Sequence, residues 1–165
     1  MKTCVFAGTF DPFTLGHEDT VKKCLVLFDE VIVAVAENKR KHCLFTLAER
    51  EEMIRAVFSA EPRVRVIGWD GVIVDLLKKE NTCIYVRGVR NAVDFEYEND
   101  DFFASRDLSP DMVTVYIPAE QKLVHVSSTL VKNCIAFGKP YEGYVPKAVY
   151  NHIRKREETH VQKAD

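Results

Sequence analysis

The stretch EVIVAVA at residues 30–36 leaves a soluble chain few options. Its β-branched side chains fall on both sides of an extended strand, so both sides must be covered. A parallel sheet with helices above and below supplies that cover. The rest of the chain alternates accordingly. Strand-like runs occur at residues 3–7 (TCVFA), 63–68 (RVRVIG), 82–86 (TCIYV) and 112–118 (MVTVYIP). Between them lie helical patterns. Residues 17–28 place Val21, Cys24, Leu25 and Phe28 at helical spacing, and residues 46–58 open with Thr46 and Glu49 as a capping box. Residues 71–80 read as a helix whose β-branched start also suits a strand, and residues 91–108 as a long acidic, aromatic helix. Residues 127–138 begin with serines and end on Gly138, and residues 145–155 carry Pro146 at a first-turn position. The β-α order predicts an α/β fold, a Rossmann-like five-stranded parallel sheet with helices on both faces.

The chain's 165 residues suit one domain, expected over residues 1–165 with a polar, frayed tail at 157–165. No repeat, linker or domain boundary interrupts it. A net charge of −2 argues against a nucleic-acid partner. No apolar run reaches the length of a membrane span, and the first residues lack a signal-peptide core. The five cysteines are spread out and form no C-x-x-C, so they read as buried thiols of a cytoplasmic protein.

In parallel sheets ligands bind at the carboxyl ends of the strands. Unusual residues stand there after four of the strands: GTFDPFTLGH (8–17), NKRKH (38–42), RGVR (87–90) and VHVSST (124–129). In the first, a glycine ends a strand and a helix mouth follows, an arrangement suited to phosphate. Thr9 offers a hydroxyl, and His17 a donor able to carry charge near neutral pH. The plain alternative is a turn punctuated by Asp11 and Pro12. Arg87 and Arg90 flank Gly88, so guanidinium and backbone donors can converge on phosphates. In NKRKH, Lys39 and Arg40 read as solvated charge. Ser127, Ser128 and Thr129 form a helix cap, an anion nest, or both.

These stretches together resemble the nucleotidyltransferase superfamily, whose signature is T/H-x-G-H. The Thr form found here, TLGH at residues 14–17, is most similar to the bacterial phosphopantetheine adenylyltransferases. FTLAER (45–50), RGVRNAVDFEYE (87–98) and VSSTLVK (126–132) match the same family in the same order, and the likeness spans residues 3 to 155. It implies an ATP-dependent enzyme that moves AMP to 4′-phosphopantetheine, giving dephospho-coenzyme A and pyrophosphate. It implies catalytic roles for His17, Lys41 and Arg90, with Lys41 holding the reacting phosphate. Thr9, Lys41, Ile73 and Arg87 would bind phosphopantetheine. Thr9, Phe10, His17, Gly88, Val89, Arg90, Glu98 and residues 123–129 (Leu123, Val124, His125, Val126, Ser127, Ser128 and Thr129) would line the ATP site. Asp94 would pair with an arginine of its own segment. Mg²⁺ would arrive with ATP, without a carboxylate cage of its own.

The family resemblance further implies a homohexamer and feedback binding of coenzyme A. One stretch departs from the family pattern. NDDFFASRDL at 99–108 puts Asp100, Asp101, Ala104 and Ser105 where a more apolar or amide-rich helix is usual, so the pantetheine pocket is expected to differ in shape. Two alternatives stand beside the main reading: a nucleotidyltransferase with another acceptor, and a catalytically silent module that senses ATP or coenzyme A.

Overall fold

In the computed structural model, which describes residues 1–37, 42–96 and 107–161, side chains of the two central strands divide between two cores. Strand β1 (Thr3–Gly8) sends Cys4 and Phe6 to one side and Val5 to the other. Strand β2 (Glu30–Ala36) sends Val31, Val33 and Val35 to the first core and Ile32 and Ala34 to the second. This period-two split, with both sides buried, is what the EVIVAVA run requires.

The sheet has five strands in the order β3-β2-β1-β4-β5, with β3 Val64–Trp69, β4 Ile84–Val89 and β5 Val113–Pro118. All pairings are parallel. The larger core lies under α1 (Leu15–Leu27), α2 (Leu47–Val57), α4 (Ser128–Ala136) and α5 (Lys147–Val161). Helix α3 (Ile73–Lys79) covers the other face with Leu76 and Leu77. Both covered faces and the parallel order agree with the expected fold class.

Local signals act as the sequence suggests. Thr46 caps α2, and Glu49 returns its carboxylate to the Thr46 amide at 2.8 Å. Ser127 caps α4, and Gly138 (φ +61°) closes it. The amides of Gly138 and Lys139 reach back to the carbonyls of Ile135 and Cys134, the paired closure that a left-handed residue permits. The 71–80 stretch resolves in favour of a helix. The long 91–108 helix is described only at residues 92–96 and 107–108, which are helical.

Two readings change. Helix α5 runs on to Val161, beyond the 145–155 stretch, with Pro146 just before its first residue. Its extension is docked: Arg156 pairs with Glu49 at 3.1 Å, donates to the Leu44 carbonyl at 3.0 Å and lies over the Phe45 ring. Of the cysteines only Cys4 and Cys24 are buried, while Cys83, just before β4, is exposed.

Candidate active site

The cleft begins where two strands part. β1 pairs with β4 only at Val5–Tyr85 and Phe6–Val86, yet it continues beside β2 as far as Gly8 opposite Val35. Beyond Val86, β4 keeps only β5 as partner, and Arg87, Gly88 and Val89 stand opposite Tyr116, Ile117 and Pro118. RGV is therefore the end of the fourth strand and not the turn after it. Pairing with β5, a contact distant in sequence, extends the strand. β1 and β4 are also where the strand order reverses, the place at which such sheets take ligands.

A cleft of about 440 Å³ opens there. Two of its three glycines, Gly8 and Gly88, are places of close approach. A Cβ on Gly8 would lie 2.8 Å from the Phe10 ring, and one on Gly88 would lie 2.9 Å from Thr20 Oγ1. Phe10 itself holds a left-handed backbone (φ 50°), which folds its ring back beneath the cleft. Although Phe10 lines the cleft, it is 3% exposed and serves mainly as floor.

His17 stands on that floor, with the rings of Phe10 and Phe13 at 5.0 and 5.3 Å. Its position comes from an unusual capping box. Thr14 caps α1 and accepts from the His17 amide, while the Thr14 amide donates to His17 Nδ1 at 3.0 Å. Nδ1 is thus an acceptor, so the proton of the neutral ring sits on Nε2. Burial, aided by the Arg90 charge, lowers the His17 pKa to about 4. The expectation of a donor charged near neutral pH is corrected accordingly. His17 is a neutral imidazole with one N–H to offer.

Cationic and hydroxyl groups surround it. Arg90 grips Asp94 through Nε and Nη2 at 2.7 and 3.1 Å, the in-segment pairing expected of Asp94. Arg87 lies over the Tyr85 ring and donates to its hydroxyl at 2.6 Å. The mouth of α4 adds Val126, Ser127, Ser128 and Thr129 to the lining. The Ser127 hydroxyl is engaged as the cap, accepting from the Leu130 amide at 3.1 Å. Free amides at this mouth and the helix dipole favour an anion.

The structure brings Thr9, Phe10, His17, Arg87, Gly88, Val89, Arg90 and the last four residues of the 123–129 stretch to one cleft. It does not bring Leu123, Val124 or His125 to its wall. His125 instead stands edge-on to Tyr144, and Leu123 ends a 3-10 turn (Gln121–Leu123). Ile73, expected at the pantetheine arm, starts α3 and packs against the second core with Trp69. The expectations for Lys41, Glu98, Asp100, Asp101, Ala104 and Ser105 lie outside the described residues.

Sequence reasoning missed the supports. Arg50 is 3% exposed, and its guanidinium donates to the carbonyls of Phe45, Thr9 and Ala36 at 3.1, 2.7 and 3.0 Å. It ties the ends of β1 and β2 to the start of α2. Asp11, also 3% exposed, accepts from the amides of Leu44 and Phe45, both at 2.9 Å. The sequence alone marks Asp11 only as turn punctuation. Thr14 carried an available signal, since its spacing to His17 is that of a capping box.

A family model described as cytidylyltransferase-like matches residues 5–134. A phosphopantetheine adenylyltransferase of Azoarcus sp. is 39% identical over 152 residues, covering 92% of this chain and 93% of the relative. One of Flavobacterium johnsoniae is 40% identical over 149 residues, covering 90% and 97%. One of Thiobacillus denitrificans is 36% identical over 156 residues, covering 94% and 98%.

Proposed function

Because the chain belongs to the phosphopantetheine adenylyltransferases, within the cytidylyltransferase-like proteins, we propose that it transfers AMP from ATP to 4′-phosphopantetheine. The products are dephospho-coenzyme A and pyrophosphate. The observation that carries the reading is His17. Its Nδ1 is held by Thr14 at a helix mouth, in a cleft walled by Arg87, Arg90 and the hydroxyls of α4.

An oxygen of the acceptor phosphate attacks the α-phosphorus of ATP. The bond from that phosphorus to the oxygen bridging to the β-phosphate breaks, and its electron pair leaves with pyrophosphate. The nucleophile is already an anion, so no general base is required. Rate comes from alignment and from donors aimed at developing charge. His17 Nε2–H donates to the α-phosphate. Thr9 and Lys41 orient the acceptor, and Arg87 binds its phosphate end. Arg90 and the α4 mouth hold the outgoing pyrophosphate, and Glu98 reaches ATP. No covalent enzyme intermediate forms.

The described residues on the cleft wall suit phosphates better than a bare cation, for the one carboxylate among them, Asp94, is committed to Arg90. Mg²⁺ would accordingly arrive with ATP and neutralise charge on its phosphates. The proposal extends by family analogy to a homohexamer in the cytoplasm. Among the described residues no helix is long and apolar enough to cross a membrane.

The test is pyrophosphate release from ATP and Mg²⁺, with and without 4′-phosphopantetheine. Release should require the acceptor, stop with EDTA and be weak when CTP replaces ATP. In His17→Ala, kcat should fall by roughly 10²–10³ while ATP affinity is largely kept. Equal losses in binding and turnover would remove His17 from the transition state. ATP binding without release would favour a silent sensor.

A further inference from the structure

Helix α4 meets the β1–α1 turn through two contacts spaced one helical turn apart. Ser128 Oγ donates to the Pro12 carbonyl at 2.8 Å, and Lys132 Nζ donates to Asp11 Oδ2 at 3.2 Å. Residues four apart on a helix share a face, so both side chains address consecutive residues of the turn. Asp11 is the more constrained partner. Its carboxylate is 3% exposed, and both oxygens also accept backbone amides, from Phe45 and Leu44. Phe45 passes the linkage on: its carbonyl accepts from Arg50, which also holds the Thr9 carbonyl at 2.7 Å. A continuous series of bonds thus runs from α4 through Asp11, Phe45 and Arg50 to Thr9. Thr9 at one end lines the cleft, and so does the mouth of α4 at the other.

We propose that Asp11 and Lys132 are a positioning pair that sets the separation of the Thr9 wall from the α4 mouth. Neither lines the cleft. The inference rests on the adenylyl-transfer reading for its kinetic consequence. On that reading Thr9 orients the acceptor phosphate and the α4 mouth holds pyrophosphate, so their separation sets the in-line geometry. In-line attack tolerates a shift in that separation less well than ground-state binding of ATP does. Loss of the pair therefore reduces turnover more than ATP affinity. The buried carboxylate supplies the reason a lysine is needed. Two amides satisfy its hydrogen bonds but carry no net charge, and Lys132 provides the compensating one.

The decisive variant is Lys132→Met, which keeps the helix and the aliphatic stem. Wild type, Lys132→Met and Lys132→Arg are compared in pyrophosphate release, ATP binding by calorimetry and amide hydrogen exchange at Leu44 and Phe45. In Lys132→Met, kcat should drop on the order of 10–100-fold, the loss expected when reacting groups shift by about an ångström. ATP affinity should stay within about threefold, a small free-energy change. The two amides, far from Lys132 in sequence, should exchange faster, and Lys132→Arg should restore both kcat and protection. Unchanged kcat and exchange in a folded Lys132→Met would overturn the proposal. So would a uniform loss of ATP binding, turnover and thermal stability, which marks a merely structural pair. Asp11→Asn offers a second check, because with Lys132→Met it should be non-additive if the two act as a unit. If the wild type releases no pyrophosphate with 4′-phosphopantetheine, the functional reading fails. The exchange comparison needs no turnover and still decides the clamp.

Discussion

His17 shows how much one side chain's role depends on its neighbours. A histidine in water titrates near 6.5, whereas this one is held at about 4 by burial and by Arg90. The sign is that of a group buried neutral. Its stabilising contribution is complete above the ordinary histidine range and is lost as pH falls through 6.5 toward 4, because the unfolded chain then binds the extra proton. In the apo protein, NMR of the imidazole nitrogens should report the Nε2–H tautomer and a midpoint near 4. ATP should raise that midpoint, since phosphate oxygens at Nε2 favour the imidazolium. A midpoint near 6.5 without ligand, or an Nδ1–H tautomer, would contradict the Thr14 contact. The reaction itself asks only for a donor at Nε2, which the neutral ring supplies.

At the scale of elements, helix ends do the chemistry that helix middles cannot. The mouths of α1 and α4 both open on the cleft, where unpaired amides can meet phosphate. The far end of α4 has a different task. Gly138 sits there at φ +61°, and a Cβ on it would meet nothing within 4 Å. Gly138→Ala should therefore destabilise by about 1 kcal/mol through backbone strain alone. Thermal or denaturant unfolding should show that loss with kcat and KM unchanged. A change in kinetics would mean that the two ends of α4 are coupled more tightly than one cap suggests. The caps were legible in advance, because Thr46 with Glu49, Ser127 and Gly138 act within a few residues of themselves. The extent of β4 was not, since pairing with β5 carries it through Arg87, Gly88 and Val89.

For the molecule as a whole, the isolated chain exposes large apolar side chains. Val26 is 84% exposed, Phe137 75% and Val93 74%. Single exposed apolar side chains do not define an interface, so the assembly rests on family analogy. Light scattering of the purified protein should give six chains per particle, in line with the proposed hexamer. A monomer at assay concentrations would remove the assembly from the proposal while leaving the cleft within each chain intact.

The sequence by itself determined the α/β class, the parallel order of elements and the segments that carry the chemistry. Those features follow from residue periodicity, from caps and from the rule that ligands gather at strand ends, all readable over short spans. Tertiary structure decided what those segments become. It opened the cleft by letting β1 and β4 diverge after Val86, and it turned His17 into a neutral donor by burying it. It brought Arg50 to Thr9 across 41 positions and Asp11 to Phe45 across 34. It also set Ile73, half-buried, against the second core and left Leu123, Val124 and His125 outside the cleft lining. Burial, electrostatic surroundings and long-range hydrogen bonds are properties of neighbours in space, and no local pattern encodes them.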